Sequence, residues 1–132
     1  MPGFVKTAGP YLRREIEGAV EYGFIPGPEH LNPVNVVHGG CSFTFTDCAL
    51  GWEAMRATGR VCVTIHLDAH FINGIKLGDF VTARAEVVRQ TSSMAFMRGA
   101  LQVNGEDRMM SNGVWKTFAN TVGEQPATID LI

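Results

Sequence analysis

The stretch NVVHGGCSFTFTDCALGWEAM, residues 35–55, is almost uncharged, yet Asp47 sits near its middle. The positions three and four residues away are Phe43, Thr44, Leu50 and Gly51, which offer neither a salt-bridge partner nor a wet neighbourhood. Three readings stay open: a solvated helix residue, a carboxylate hydrogen-bonded to a neighbouring element, or a base working near neutral pH. Gly39 and Gly40 stand where the same run begins. They either turn the chain into a helix or, lacking a Cβ, let a ligand approach the unpaired N–H groups of its first turn, where the partial positive charge favours a developing negative oxygen. His66 and His70, with Asp68 between them, share one strand face. Zinc needs three or four converging ligands and no further close-spaced ligand follows, so no metal is expected.

These residues need a scaffold, and the composition allows an ordinary one. The chain has 132 residues, 45% hydrophobic and 18% charged, which suits one globular domain with a packed core. Eleven Lys and Arg against thirteen Asp and Glu give a net charge of −2, and the basic residues are scattered. Such a chain lacks the electrostatic footprint of a nucleic-acid binder, and Arg84, Arg89 and Arg98 receive no role. Met1 to Pro10 lacks the basic start and apolar run of a signal peptide, and no stretch approaches the roughly 20 apolar residues that span a bilayer. A cytoplasmic location, with no membrane partner, is the expectation. Cys41, Cys48 and Cys62 contain no C-x-x-C pair and read as small hydrophobes. Met94, Met97, Met109 and Met110 read as core or interface filler.

Along the chain, REIEGAVEYGF alternates Val20, Tyr22 and Phe24 against polar or small residues, predicting a strand and a short hairpin turning near Gly18. IPGPEHLNPV carries three prolines and predicts a loop. From Gly39 to Met55, Cys41, Phe45, Cys48, Trp52 and Met55 recur at spacings of four and three, with Gly59 placed to end the run. The spacing predicts a long helix. Its second face, through Phe43, Leu50 and Ala54, is also apolar, so the helix should be enclosed on most sides. VCVTIHLDAHFI alternates cleanly as a long strand, with Val61, Val63, Ile65 and Leu67 on one face and Thr64, His66, Asp68 and His70 on the other. Three further antiparallel strands follow, the last two joined by a turn at NGED. The economical architecture is α+β: one domain over 1–132, an antiparallel sheet of five to six strands wrapped around one central helix, with 1–10 and 119–132 as flexible or extended ends.

With these elements in place, HLNPVNVVHGGCSFTFTDCALG, VTIHLDAHFINGIKLGD and SNGVWKTF resemble the hotdog-fold thioesterases of the PaaI-like, acyl-CoA-hydrolysing group, over Gly9 to Phe118. The resemblance implies a coenzyme A thioester as substrate and no cofactor. It implies that the Gly39 N–H polarises the thioester carbonyl and that Asp47 acts as general base or nucleophile. Asn32 would help to hold the carbonyl or the attacking water, Thr64 would assist the acid, and His38 would brace the loop and the thioester end, with His38 and Gly40 as substrate-binding residues. Asn35 stands where relatives commonly have glycine, and Asn tolerates a left-handed backbone. Thr64 enters such a site only if its strand bulges, since period two places it away from the helix. Two alternatives share the fold: acyl-thioester hydratases, whose His-plus-acid signatures are not visible, and a non-catalytic acyl-CoA sensing module, which would normally carry a DNA-binding segment.

Gly39 and Asp47 lie eight residues apart, which on one helix means about 12 Å of rise. Both cannot reach one carbonyl carbon. A second protomer, its helix antiparallel, could bring its Asp47 to this Gly39, so a site shared across a two-fold dimer, or a dimer of dimers, is expected.

Overall fold

The computed structural model describes residues 3–121. A short helix, α1 (Phe4–Ala8), stands where an extended or flexible start was expected. β1 (Tyr11–Ile16) and β2 (Ala19–Phe24) pair as a hairpin, and its turn residues Glu17 and Gly18 have φ of 53° and 82°. Two successive positive φ values match the turn to the twist of the strands, which is why the hairpin can be so short. The proline-rich loop contains a single 3-10 turn at Pro28–His30.

Helix α2 (Gly39–Thr58) follows, with His38 as its N-cap and Gly59, at φ 71°, as its C-cap. β3 (Arg60–Phe71), β4 (Val81–Gln90), β5 (Met94–Val103) and β6 (Glu106–Thr121) complete the chain. The β5–β6 turn uses Asn104 and Gly105 at φ 51° and 78°. All six strands form one antiparallel sheet in the order β1-β2-β4-β5-β6-β3. β1 and β3 are therefore its edges. Residues 122–132 of the expected extended tail lie outside the described residues, and β6 runs to Thr121.

The sheet wraps α2. Phe45, Ala49, Leu50 and Ala54 lose all contact with water, and Tyr11, Phe24 and Trp52 close around them. Two strand glycines make room for this close approach. A Cβ on Gly99 would lie 2.5 Å from Leu50 Cδ1, and one on Gly113 would collide with the Trp115 indole. The enclosure has a gap, however: Phe43, expected inside, is 37% exposed.

The pairing of β3 with β6 departs from simple alternation. Thr64 faces Trp115 and His66 faces Val114, so Ile65 is an extra residue on β3. This bulge switches the strand's faces. Before it, Cys62 and Thr64 point toward the helix; after it, Leu67 and Ala69 do. The expected single apolar face of Val61, Val63, Ile65 and Leu67 is thus broken. Val63 and Ile65 are 49% and 52% exposed beside the free edge of the sheet.

Candidate active site

The N-terminus of α2 is held by the loop before it. His30 is buried and uses both ring nitrogens: Gly27 N–H donates to Nδ1 at 2.9 Å, and Nε2 donates to the Ala8 carbonyl at 3.0 Å. Both bonds require the neutral ring with its proton on Nε2. The His30 carbonyl accepts from His38 N at 2.8 Å, and Val37 N donates to the Ile75 carbonyl at 2.7 Å. Between them, Asn32 closes the loop on itself: its Oδ1 accepts from Val34 N at 3.0 Å and Val36 N at 3.1 Å. The turn passes through Asn35 at φ 63°, the left-handed conformation its residue type tolerates.

This frame sorts the first N–H groups of α2, which an isolated helix would leave without partners. Gly40 N donates to His38 Nδ1 at 2.9 Å. Cys41 N and Ser42 N both donate to the His38 carbonyl, at 2.9 Å and 3.2 Å. Only the Gly39 N–H has no acceptor among the described residues. Gly39 lines a cleft of about 380 Å³ with Val36, Ser42, Phe71, Arg108 and Met109. Its backbone does not need glycine, because its φ is not positive and a Cβ would sit 3.5 Å from the Phe71 ring, an ordinary contact. Gly40 is tighter, since a Cβ there would lie 3.1 Å from His38 Nδ1.

Asp47, two turns further along α2, is half-buried. Its neighbour is Thr64, whose hydroxyl donates to Asp47 Oδ1 at 2.6 Å across the helix–strand interface. The bulge at Ile65 makes this bond possible. The thiol of Cys48, next along the helix, is pushed up to about 12, first by burial and then by the charge of Asp47. Asp47 and Thr64 lie outside the cleft that Gly39 lines. Within one chain the two parts stand apart along β3: Gly39 against Phe71 at the strand's last residue, Asp47 against Thr64 near its middle. Asn32 braces the loop, and its carbonyl oxygen is fully used there, so only its amide N–H₂ is left to offer.

His66 pairs with Asp68 at 3.2 Å on the exposed face of β3. No group of three His, Cys, Asp or Glu residues suited to a metal occurs among the described residues. No helix there is long and apolar enough to cross a membrane. Sequence reasoning did not single out Phe71, Ser42 or Arg108 as cleft residues. Ser42 alone had a signal, being three positions after Gly39 and so on the same helix face.

The profile of the thioesterase superfamily matches residues 34–108, from the loop before His38 to the Arg108 of the cleft. The chain belongs to the thioesterase superfamily. Its six-stranded antiparallel sheet and long helix are the hotdog fold of that superfamily, as solved relatives confirm. A protein of Bacillus halodurans solved with coenzyme A is 29% identical, with a TM-score of 0.76 over 83% of this chain and 74% of that one. The PaaI protein of the phenylacetic acid degradation operon of E. coli is 19% identical, with a TM-score of 0.80 over 89% and 85%. A hypothetical thioesterase of Streptococcus pneumoniae, solved with coenzyme A, is 20% identical, with a TM-score of 0.76 over 84% and 90%. Comparison with curated proteins gives no match. The superfamily profile covers His38, Gly39, Gly40, Asp47 and Thr64, but begins two residues after Asn32.

Proposed function

We propose that this protein hydrolyses acyl-CoA thioesters in a site completed by a second copy of the chain. The observation that carries the reading is the Gly39 N–H, left without an acceptor by the His38 cap in a residue that lines a cleft of mixed polar and apolar character. A helix N-terminal N–H in that setting stabilises negative charge on a carbonyl oxygen as the carbon becomes tetrahedral. The coenzyme A bound to two structural relatives supports a coenzyme A thioester as the substrate here.

The acid must come from elsewhere, because Asp47 and Gly39 of one chain are about 12 Å apart along α2. β3 offers the route. It is an edge strand with unpaired backbone groups and exposed Val63 and Ile65, a surface that invites another strand. Antiparallel pairing of two β3 strands about a two-fold axis near Leu67 sets Thr64 of one opposite Phe71 of the other. Asp47 of the partner subunit then approaches Gly39. Asp47 either takes a proton from water, which attacks the carbonyl, or attacks it directly to give an anhydride that water opens. In both cases the C–S bond breaks and the thiolate of coenzyme A leaves and is protonated. Thr64 holds the carboxylate in place, His38 keeps Gly40 N–H out of competition, and the Asn32 amide is a second donor for carbonyl or water. The chemistry asks for no cofactor.

Thiol release from short, long and aryl acyl-CoAs tests the reading. Wild type turns over at least one of them, and Asp47→Asn, which keeps shape and removes the charge, lowers kcat by roughly 100-fold or more, the scale of general-base catalysis. Stoichiometric acyl-CoA binding without thiol release assigns the chain to the sensing alternative instead.

A further inference from the structure

Ser42 is 5% exposed, lines the cleft with Gly39, and its hydroxyl bonds no group among the described residues. That is unusual for a helical hydroxyl, which ordinarily donates to the carbonyl four residues back. Two others in α2 do so: Thr44 bonds the Gly40 carbonyl at 2.9 Å and Thr58 the Ala54 carbonyl at 2.7 Å. For Ser42 the corresponding acceptor is the His38 carbonyl, and it already takes the N–H groups of both Cys41 and Ser42. Both lone pairs are occupied. The cap that frees the Gly39 N–H therefore also frees the Ser42 hydroxyl.

The other polar side chains of the cleft are tied to its rim. Arg108 donates to the Gly74 carbonyl at 2.5 Å and is held in an ion pair with Glu106 at 2.9 Å, although its Nε–H makes no hydrogen bond among the described residues, while Asn73 accepts from Gly74 N and donates to Glu106. Side chains lean toward the N-terminus of their helix, and residues three apart share a face. The Ser42 hydroxyl thus leans back over the first turn toward Gly39.

We infer that Ser42 is a further donor to the thioester carbonyl, acting with the Gly39 N–H, and beside the Asn32 amide, on the developing oxyanion. This inference rests on the thioesterase reading above and adds a residue to it. The Ser42 O–H donates without transferring its proton, so the bond-making and bond-breaking steps are unchanged.

The test compares wild type, Ser42→Ala and Asp47→Asn. Ser42→Ala is expected to lower kcat roughly 100-fold, the scale for one lost oxyanion donor, with KM little changed. Its affinity for an S-alkyl-CoA thioether, which has no carbonyl, stays at the wild-type value. Its melting temperature holds or rises, because an unpartnered enclosed hydroxyl is replaced by the best helix former. Wild-type kcat in Ser42→Ala alongside an inactive Asp47→Asn overturns this inference and leaves the thioesterase reading standing. So does a raised KM with unchanged kcat, weaker thioether binding, or a lowered melting temperature. A wild-type protein that releases no thiol from any acyl-CoA overturns both.

Discussion

The hydroxyl of Thr64 reaches Oδ1 of Asp47 at 2.6 Å because β3 carries one residue, Ile65, that β6 does not match. Without that insertion Thr64 would share the outer face with His66 and Asp68. Removing the hydroxyl while keeping its shape, as in Thr64→Val, is expected to lower kcat about tenfold, since a hydrogen bond to a carboxylate contributes about 1.5–3 kcal/mol and this pair is partly solvated. Thr64→Ser retains the donor and most of the activity. Steady-state kinetics on the best acyl-CoA decides, and a fully active valine variant would remove Thr64 from the mechanism.

Ile65 itself points away from the helix, so changing it tests the interface rather than the core. Ile65→Lys places a charge on the edge of β3 and should leave the melting temperature of the isolated fold almost unchanged, as exposed substitutions usually do. Sedimentation should show a shift toward half the mass, and activity should fall in step with it. A monomeric variant with full activity is incompatible with a shared site.

The two motif glycines predict different failures. Gly39→Ala puts a methyl group into ordinary contact with Phe71, so the fold persists, but that methyl occupies the approach to the free N–H and kcat/KM should fall by at least tenfold. Gly40→Ala crowds His38 Nδ1 and loosens the cap, with an expected cost of about 1 kcal/mol in thermal or denaturant unfolding. The outcome that counts against this division is a Gly39→Ala enzyme with wild-type kcat/KM.

Alkaline pH should weaken the fold through its buried thiol and phenols. Burial raises the Cys48 thiol from 9.0 to about 12 and Tyr22 from 10.0 to about 12, and it raises Tyr11 as well. Each folded value lies above the unfolded one, so the stabilisation is fully present below pH 9 and is lost as pH climbs toward about 12. Melting temperature should therefore decline across that window, and at pH 8 native Cys48 should resist iodoacetamide while the denatured chain reacts. A melting temperature flat from pH 9 to 12 would contradict this.

Much of the scaffold was written in local chemistry. The 4-3 spacing of Cys41, Phe45, Cys48, Trp52 and Met55 marks α2, Gly59 stops it, and Gly18 and Asn104–Gly105 mark the two tight turns at positive φ. α1 escaped notice because FVKTA is too short to show a helical period. The bulge was invisible for a different reason. Val63, Ile65 and Leu67 keep perfect alternation, and the irregularity depends on the partner strand, where a Cβ on Gly113 would lie 3.0 Å from the His66 carbonyl. The identity of Asp47 and Gly39 as a pair separated along one helix was legible from spacing, whereas the Ser42 hydroxyl was not, since it depends on how many bonds the His38 carbonyl accepts.

The open edge of β3 also bears on handling. If two such edges close the working site, dilution does more than halve the particle: it uncovers Val63, Ile65 and a row of unsatisfied amides at the moment activity is lost. Inactivation on dilution should then be reversible at first and become permanent as stray strands pair out of register, so that stock concentration and bound coenzyme A govern shelf life more than temperature does.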